Sequence, residues 1–428
     1  MFRLFLKIIT GIAVSMFLFP FSFKFLPGFN TKMMLAFLGG ILYLLNSVGR
    51  KGVIASPSLI GAALIASVFS FVCFYSAEIN HTDDYSYATY ITSFFVWIAA
   101  AYAVCQLIKL VHKEANIKYL TFYLAGVCFV QCVLVLLIDN ISAIRSVVDA
   151  LFVGGYFYQG LGRLYGIGAA LDPAGVRFTV VLIMMIAVIV FDQTVRKNRK
   201  VIFQLMICYF TVAVVGNMTA RTTSVGLILS LFLLIIGTKI IGLVITSRFF
   251  RFYAIFFGLL LVTIIVAGYL YNTNAIFHDN LRFAFEGFFN WMEEGRWYTS
   301  STDILTKKMW VWPQDAHTWT IGSGWFGGYR YSTDVGYCRF ILYCGLVGFS
   351  IFSIFFIYNG LIFYLRDKAY RLLFLFLIAV TFIIWRKVST DIFQFYALFY
   401  CLDYISEREY KANEPTIATT ASEKNLIV

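Results

Sequence analysis

The sequence predicts an all-α polytopic membrane protein, and three observations carry that expectation. Of its 428 residues 61% are hydrophobic and only 13% charged, about half the charge of a soluble domain. Apolar runs of roughly 17–25 residues recur along the chain, which suits helices crossing a bilayer; a β-barrel would show short alternating segments instead. Lys and Arg also cluster between alternate runs, as they do in cytoplasmic loops.

Twelve spans are expected, in order. The first, 5–19, follows Arg3 and Lys7 and is read as an uncleaved helix, because no small-residue cleavage site is evident and further spans follow. Then come 32–45, 57–75, 90–110 and 119–138. A mixed loop, 139–171, precedes 174–191, and the basic cluster 196–200 leads to 201–215. A short turn bearing Arg221 joins this to 222–236. The ninth span is 252–271 and the tenth 335–364, which is long enough to tilt or to begin outside the bilayer. The last two are 372–385 and 392–405, within a transmembrane domain of residues 1–405. A polar cytoplasmic tail, 406–428, is expected to be disordered.

With the N-terminus inside, Arg50, Lys51, Lys109, Lys113, Lys118, residues 196–200, Lys239, Arg248, Arg251, Arg366, Lys368 and Arg371 all fall in inner loops. Only Arg386 and Lys387 run against the pattern. The expected topology is therefore N-in, C-in, in the bacterial inner membrane. The net charge of +12 is then topological, and no nucleic-acid partner is expected. The eight cysteines lie mostly in apolar runs, show no CxxC pairing, and read as buried small hydrophobes.

This topology puts the one long polar stretch, 272–333 between spans nine and ten, on the outer, periplasmic face. Its first half, 279–294, reads as an amphipathic helix fit to lie on the membrane or over a cavity. No nucleotide-sugar pool exists outside, so bond-forming chemistry there needs a donor that arrives activated. A lipid-linked pyrophosphate meets that need, and Arg is its best protein partner: permanently charged, planar and bidentate. Arg163, Arg177, Arg221, Arg296 and Arg339 stand at outer span ends or in the large loop. An intramembrane Arg costs about 2.5–3.5 kcal/mol to insert, so such residues are functional candidates by default. For Arg177 and Arg339, snorkelling to the interface is the competing reading. Asp172-Pro173 reads as an N-cap followed by Pro at the first helical position.

A general base for a sugar hydroxyl is sought among acids or histidines near these arginines. Asp334 has the best position, although an acid there also favours a helix start. His317 and His278 are alternatives. Asp83-Asp84 is a metal-binding or merely solvated pair. The run from Gly322 to Gly328 lacks the Lys-Ser/Thr of a phosphate loop and suits tight turns. Trp310, Trp312, Trp319, Trp325 and Tyr329 suit sugar stacking or an interfacial belt.

The order of these parts resembles the Wzy-type O-antigen polymerases, a family close to the O-antigen ligases. The resemblance runs from about Gly160 to Gly348. It rests on Arg163-x-x-Gly166 ahead of Asp172-Pro173 and Arg177, and on Thr219-Ala-Arg-Thr-Thr-Ser-Val-Gly226 opening a span. The loop adds Arg296, Gly322-x-Gly324, Ser332-Thr-Asp-Val-Gly-Tyr337 and Tyr343-Cys-Gly-Leu-Val-Gly348. It implies a GT-C-like, metal-independent, inverting glycosyltransferase without a cofactor. Such an enzyme moves a growing glycan from undecaprenyl pyrophosphate onto an incoming lipid-linked repeat unit, alongside a flippase and a chain-length regulator. Arg163, Arg177, Arg221 and Arg296 would hold the pyrophosphate. Ligases usually carry a His just ahead of the late span, where this chain has Asp334, and that difference favours a polymerase. The rival readings are a ligase that transfers glycan to lipid A–core, and a flippase or transporter.

Overall fold

A computed structural model of the protein describes residues 2–48, 56–238 and 247–413. The chain opens with α1 (Phe2–Leu18), the short strands β1 (Ser22–Phe23) and β2 (Leu26–Asn30), α2 (Thr31–Val48), α3 (Pro57–Ile79), α4 (Tyr90–His112) and α5 (Ile117–Asn140). It continues through α6 (Ser142–Leu151), α7 (Gly155–Gly160), α8 (Leu171–Phe191), α9 (Gln193–Lys197), α10 (Arg199–Thr219), α11 (Thr223–Gly237) and α12 (Ser247–Thr273). Four helices occupy the large loop: α13 (Ala275–Ala284), α14 (Glu286–Glu294), α15 (Ser300–Lys308) and α16 (Ala316–Thr320). The chain then enters α17 (Gly336–Arg366), α18 (Arg371–Ile384) and α19 (Phe393–Asn413).

Each expected span lies on a helix: α1 to α5, α8, α10 to α12, and α17 to α19. Eight of these (α2, α3, α4, α5, α8, α10, α12 and α17) are long and apolar enough to cross a membrane. Several details differ from expectation. An antiparallel hairpin, β1–β2, joins α1 to α2. The expected helix over 279–294 is two helices meeting at Phe285, whose φ of −116° and ψ of 30° break the ladder. α19 runs on to Asn413, beyond the expected tail start at 406. Arg50, Lys51, Lys239 and residues 414–428 lie outside the described residues.

α8 is the central helix. From Ala174 to Val190 nearly every side chain is buried, the mark of a helix apolar all round. It is packed by α5, α10, α11 and α18. A Cβ on Gly226 of α11 would collide with the Thr179 backbone of α8, and one on Gly175 would lie 2.8 Å from the Ala220 Cβ. Small residues allow this backbone-to-backbone approach where no hydrophobic drive acts between helices. The contact sets Arg221 and Thr222 beside the first turn of α8.

α17 is broken. Cys344 and Gly345 leave helical geometry, with Gly345 at φ 64° and ψ −176°. The piece before the break is two turns long, and the piece after Gly345 is long enough to span by itself, at about 30 Å. The carbonyls freed by the break are filled from the loop and from α3. Ser323 N and Oγ donate to Leu342 O at 2.7 and 2.9 Å, Gly324 N to Tyr343 O at 3.0 Å, and Ser76 Oγ to Tyr343 O at 2.8 Å. Gly322, at φ 92°, has no room for a Cβ against Tyr343 O. Gly322→Ala combines left-handed strain with steric overlap, and about 3 kcal/mol of destabilisation is expected. The readout is a lowered melting temperature with faster proteolysis in the loop; an unchanged melt would contradict this docking.

Candidate functional site

The candidate residues meet where several helix ends converge. Asp172 stands in the first turn of α8. It is not the N-cap that Asp-Pro suggests: Ala170 holds that place, and Pro173 is the third helical residue. Freed from capping, the Asp172 carboxylate accepts from Lys387 Nζ at 3.1 Å and from the Thr222 hydroxyl, and Lys387 also reaches Thr222 Oγ1 at 3.4 Å. Lys387 comes from the α18–α19 loop, which is fixed by Trp385 Nε1 to Thr390 O (2.9 Å) and Tyr87 OH to Ser389 O (3.2 Å).

Asp334 lies at the edge of the same group. Val335, not Asp334, caps α17, and no side-chain capping bond forms there. The carboxyl is pushed above the usual carboxylate range by partial burial and by Asp172, while Arg339 and Lys387 pull it down. It remains accessible from solvent. Arg339, one turn into α17, donates to Phe326 O at 2.7 Å and packs its guanidinium 4.0 Å from the Phe326 ring.

One and a half turns below Asp172 on α8 is Arg177, partly buried. It packs 5.7 Å from the Phe19 ring and shares the field of Asp391 with Lys32. Asp391 accepts from Phe393 N at 2.8 Å and so opens α19. Two cations thus lie within electrostatic reach of one carboxylate.

Arg221 is placed differently. Its nitrogens are spent on the loop: Nε donates to Phe283 O at 2.8 Å, Nη1 to Ser301 Oγ at 2.9 Å, and Nη2 pairs with Glu286. Phe283 also lies under its guanidinium at 4.0 Å, and Arg163 packs on the same ring at 4.3 Å. Arg221 therefore anchors α13–α15 to the bundle, and an anion can reach it only by displacing Glu286. Glu286→Gln removes one charge of this pair. Faster hydrogen exchange across residues 275–294 is expected, and unchanged exchange would show that the ion pair does not hold the loop.

Arg296 and His317 are not brought into this group. Arg296 is exposed on the turn after α14 and makes no ion pair or hydrogen bond among the described residues. His317 Nε2 meets Asn80 Oδ1 at 3.3 Å. Asp84 anchors the glycine run: one oxygen accepts from Phe326 N and Gly327 N at 2.7 and 2.6 Å, the other from Ser86. Burial acts to raise its pKa, and the hydrogen bonds outweigh that and hold it below the usual range. Its contribution to stability is therefore present above the ordinary carboxylate pKa of about 4 and lost as pH falls through the lowered value. Trp312 stacks on Trp319 at 5.7 Å, and Trp325 sits under Arg330 at 4.8 Å.

Lys32, Lys387, Asp391 and Glu286 were not among the expected site residues. Lys387 alone carried a signal, as a cation in a loop where the charge pattern has none. The group gathers more cations than carboxylates at one end of an apolar bundle, an arrangement suited to a ligand of concentrated negative charge. Comparison with known protein families, curated proteins and solved structures finds no match.

Proposed function

We infer that the protein is a polysaccharide polymerase acting on lipid-linked oligosaccharides, with twelve spans and its site on the periplasmic side of the inner membrane. One observation carries the reading. Separate helix ends and loops deliver Lys32, Arg177, Arg221, Arg339 and Lys387 to one end of the bundle, with an accessible carboxylate, Asp334, beside them. Concentrated cations at a bilayer surface suit a pyrophosphate that stays attached to its lipid.

In this mechanism an acceptor hydroxyl oxygen attacks the anomeric carbon of the growing chain. The carbon–oxygen bond to pyrophosphate breaks, with inversion, and its electron pair leaves on the pyrophosphate. Arg177 and Lys387 stabilise that charge, and Arg221 joins them once Glu286 is displaced. Asp334 takes the hydroxyl proton. The raised proton affinity of Asp334 suits a base, provided the pH lies above its pKa.

The break in α17 favours a second reading, since transporters bind substrate at discontinuous helices. Here, however, the freed carbonyls are consumed by Ser323, Gly324 and Ser76. The polymerase reading predicts that cells lacking the protein make lipid A–core with a single repeat unit, and that the gene restores a long ladder. Core alone, with lipid-linked glycan accumulating, would make the protein a ligase instead.

A further inference from the structure

We propose that a cavity beside α13 is a subsite for a sugar ring carrying one negative group. The proposal rests on the polymerase reading, in which this ring belongs to the incoming repeat unit. The cavity holds ≈ 370 Å³, and its polar wall is made by Asp139, Arg145, Gln159, Arg163, Tyr165 and Asn280 over an apolar floor. That volume is at the low end for ligand sites and suits one ring rather than a chain.

The charges on the wall are unequal in what they have left to give. Arg145 is already paired: Nε donates to Ile138 O at 3.0 Å and Nη2 to Asp139 O at 2.5 Å, and the Asp139 carboxylate 3.6 Å away offsets its charge. The Arg163 side chain makes no hydrogen bond or ion pair among the described residues and packs on Phe283. A guanidinium has five donors, so Arg163 is the cation of this wall whose charge no carboxylate offsets among the described residues.

The neutral groups are oriented from behind. Asp149, 4% exposed, accepts from Tyr165 OH at 2.8 Å and from Gln159 Nε2 at 2.6 Å. Burying a carboxylate is costly unless its bonds are filled, and here they fix an amide and a phenol at the cavity wall. Gln159 Nε2 also donates to Tyr165 OH, and Asn280 Nδ2 donates to Asp139 at 3.1 Å. Both Gln159 N–H groups and one of Asn280 are thus engaged, and the carbonyl oxygens of the two amides remain as acceptors. Acceptors repel phosphate oxygens and match hydroxyl donors. The set of two acceptors and one free guanidinium therefore fits a hydroxyl-rich ring with a carboxylate better than a phosphate.

The test is saturation-transfer NMR titration of the purified full-length protein in detergent with glucuronate, glucose and inorganic phosphate. Glucuronate is expected to bind at least about tenfold tighter than glucose, from one charge-assisted contact. Arg163→Gln should bring glucuronate to the affinity of glucose, and Gln159→Leu should weaken both. The Arg163 side chain makes no hydrogen bond, and its backbone bond to Tyr158 O at 3.0 Å survives the substitution, so the replacement does not threaten the fold. Phosphate displacing glucuronate at lower concentration, glucuronate binding unchanged in Arg163→Gln, or no sugar binding in the tens of millimolar would each overturn the proposal. The readout needs no turnover. Sugar binding without glycan elongation counts against the polymerase alone, and elongation without sugar binding counts against this subsite alone.

Discussion

Arg177→Ala is expected to abolish long glycan while leaving the amount of protein in the membrane unchanged. The loss should be at least about 100-fold, the scale for removing one donor that stabilises a leaving charge. The variant should still fold, because Lys32 continues to face Asp391 and no carboxylate is left without a cation. Arg177→Lys keeps the charge and loses the planar fork, so an intermediate chain length is expected. Glycan ladders read beside a membrane immunoblot check both variants. A normal ladder in Arg177→Ala would remove this residue from the mechanism.

The second large effect belongs to Asp334. Asp334→Asn should lower turnover by about 10²–10⁴, the usual contribution of a positioned base. The pH profile separates this role from a structural one. A base must be deprotonated, and partial burial together with Asp172 raises the Asp334 pKa. Wild-type activity should therefore fall as pH drops through a value above the ordinary carboxylate range of about 4. The residual activity of Asp334→Asn should lack that acid limb. An acid limb that persists in Asp334→Asn would remove Asp334 as the base.

The helices were legible because an apolar window long enough to cross a bilayer is a strong local signal; that α8 is the buried centre was not, since its window looks like the others until the packing around it is known. What a window hides is discontinuity. Gly345 sits in an unbroken apolar run, yet α17 breaks there because Ser323, Gly324 and Ser76, distant in sequence, fill the carbonyls that the break exposes. In the same way, the residues flanking Phe285 have helix-forming spacing, and the chain still divides there into α13 and α14.

The site was legible in its arginines, since charge at the end of an apolar span is conspicuous. Their partners were not. Asp172 looked like a cap and instead pairs with Lys387, 215 residues away. Asp391 drew no notice ahead of the twelfth span, and it lies in the field of Arg177 and Lys32. Arg221 and Arg177 look alike in sequence, but the first is tied to the loop through Glu286, Phe283 and Ser301 and the second is not. These pairings depend on which helix ends converge, and that is set by close contacts such as Gly226 on Thr179.

The central claim is that this chain forms glycosidic bonds between lipid-linked units by itself. The most direct measurement places the purified protein in liposomes with polyprenyl-pyrophosphate-linked oligosaccharide, without ion gradient or nucleotide. The account predicts a ladder of elongated lipid-linked glycan, with one polyprenyl pyrophosphate released for each bond formed. Units that cross the bilayer unchanged in length, with no pyrophosphate carrier released, would contradict it.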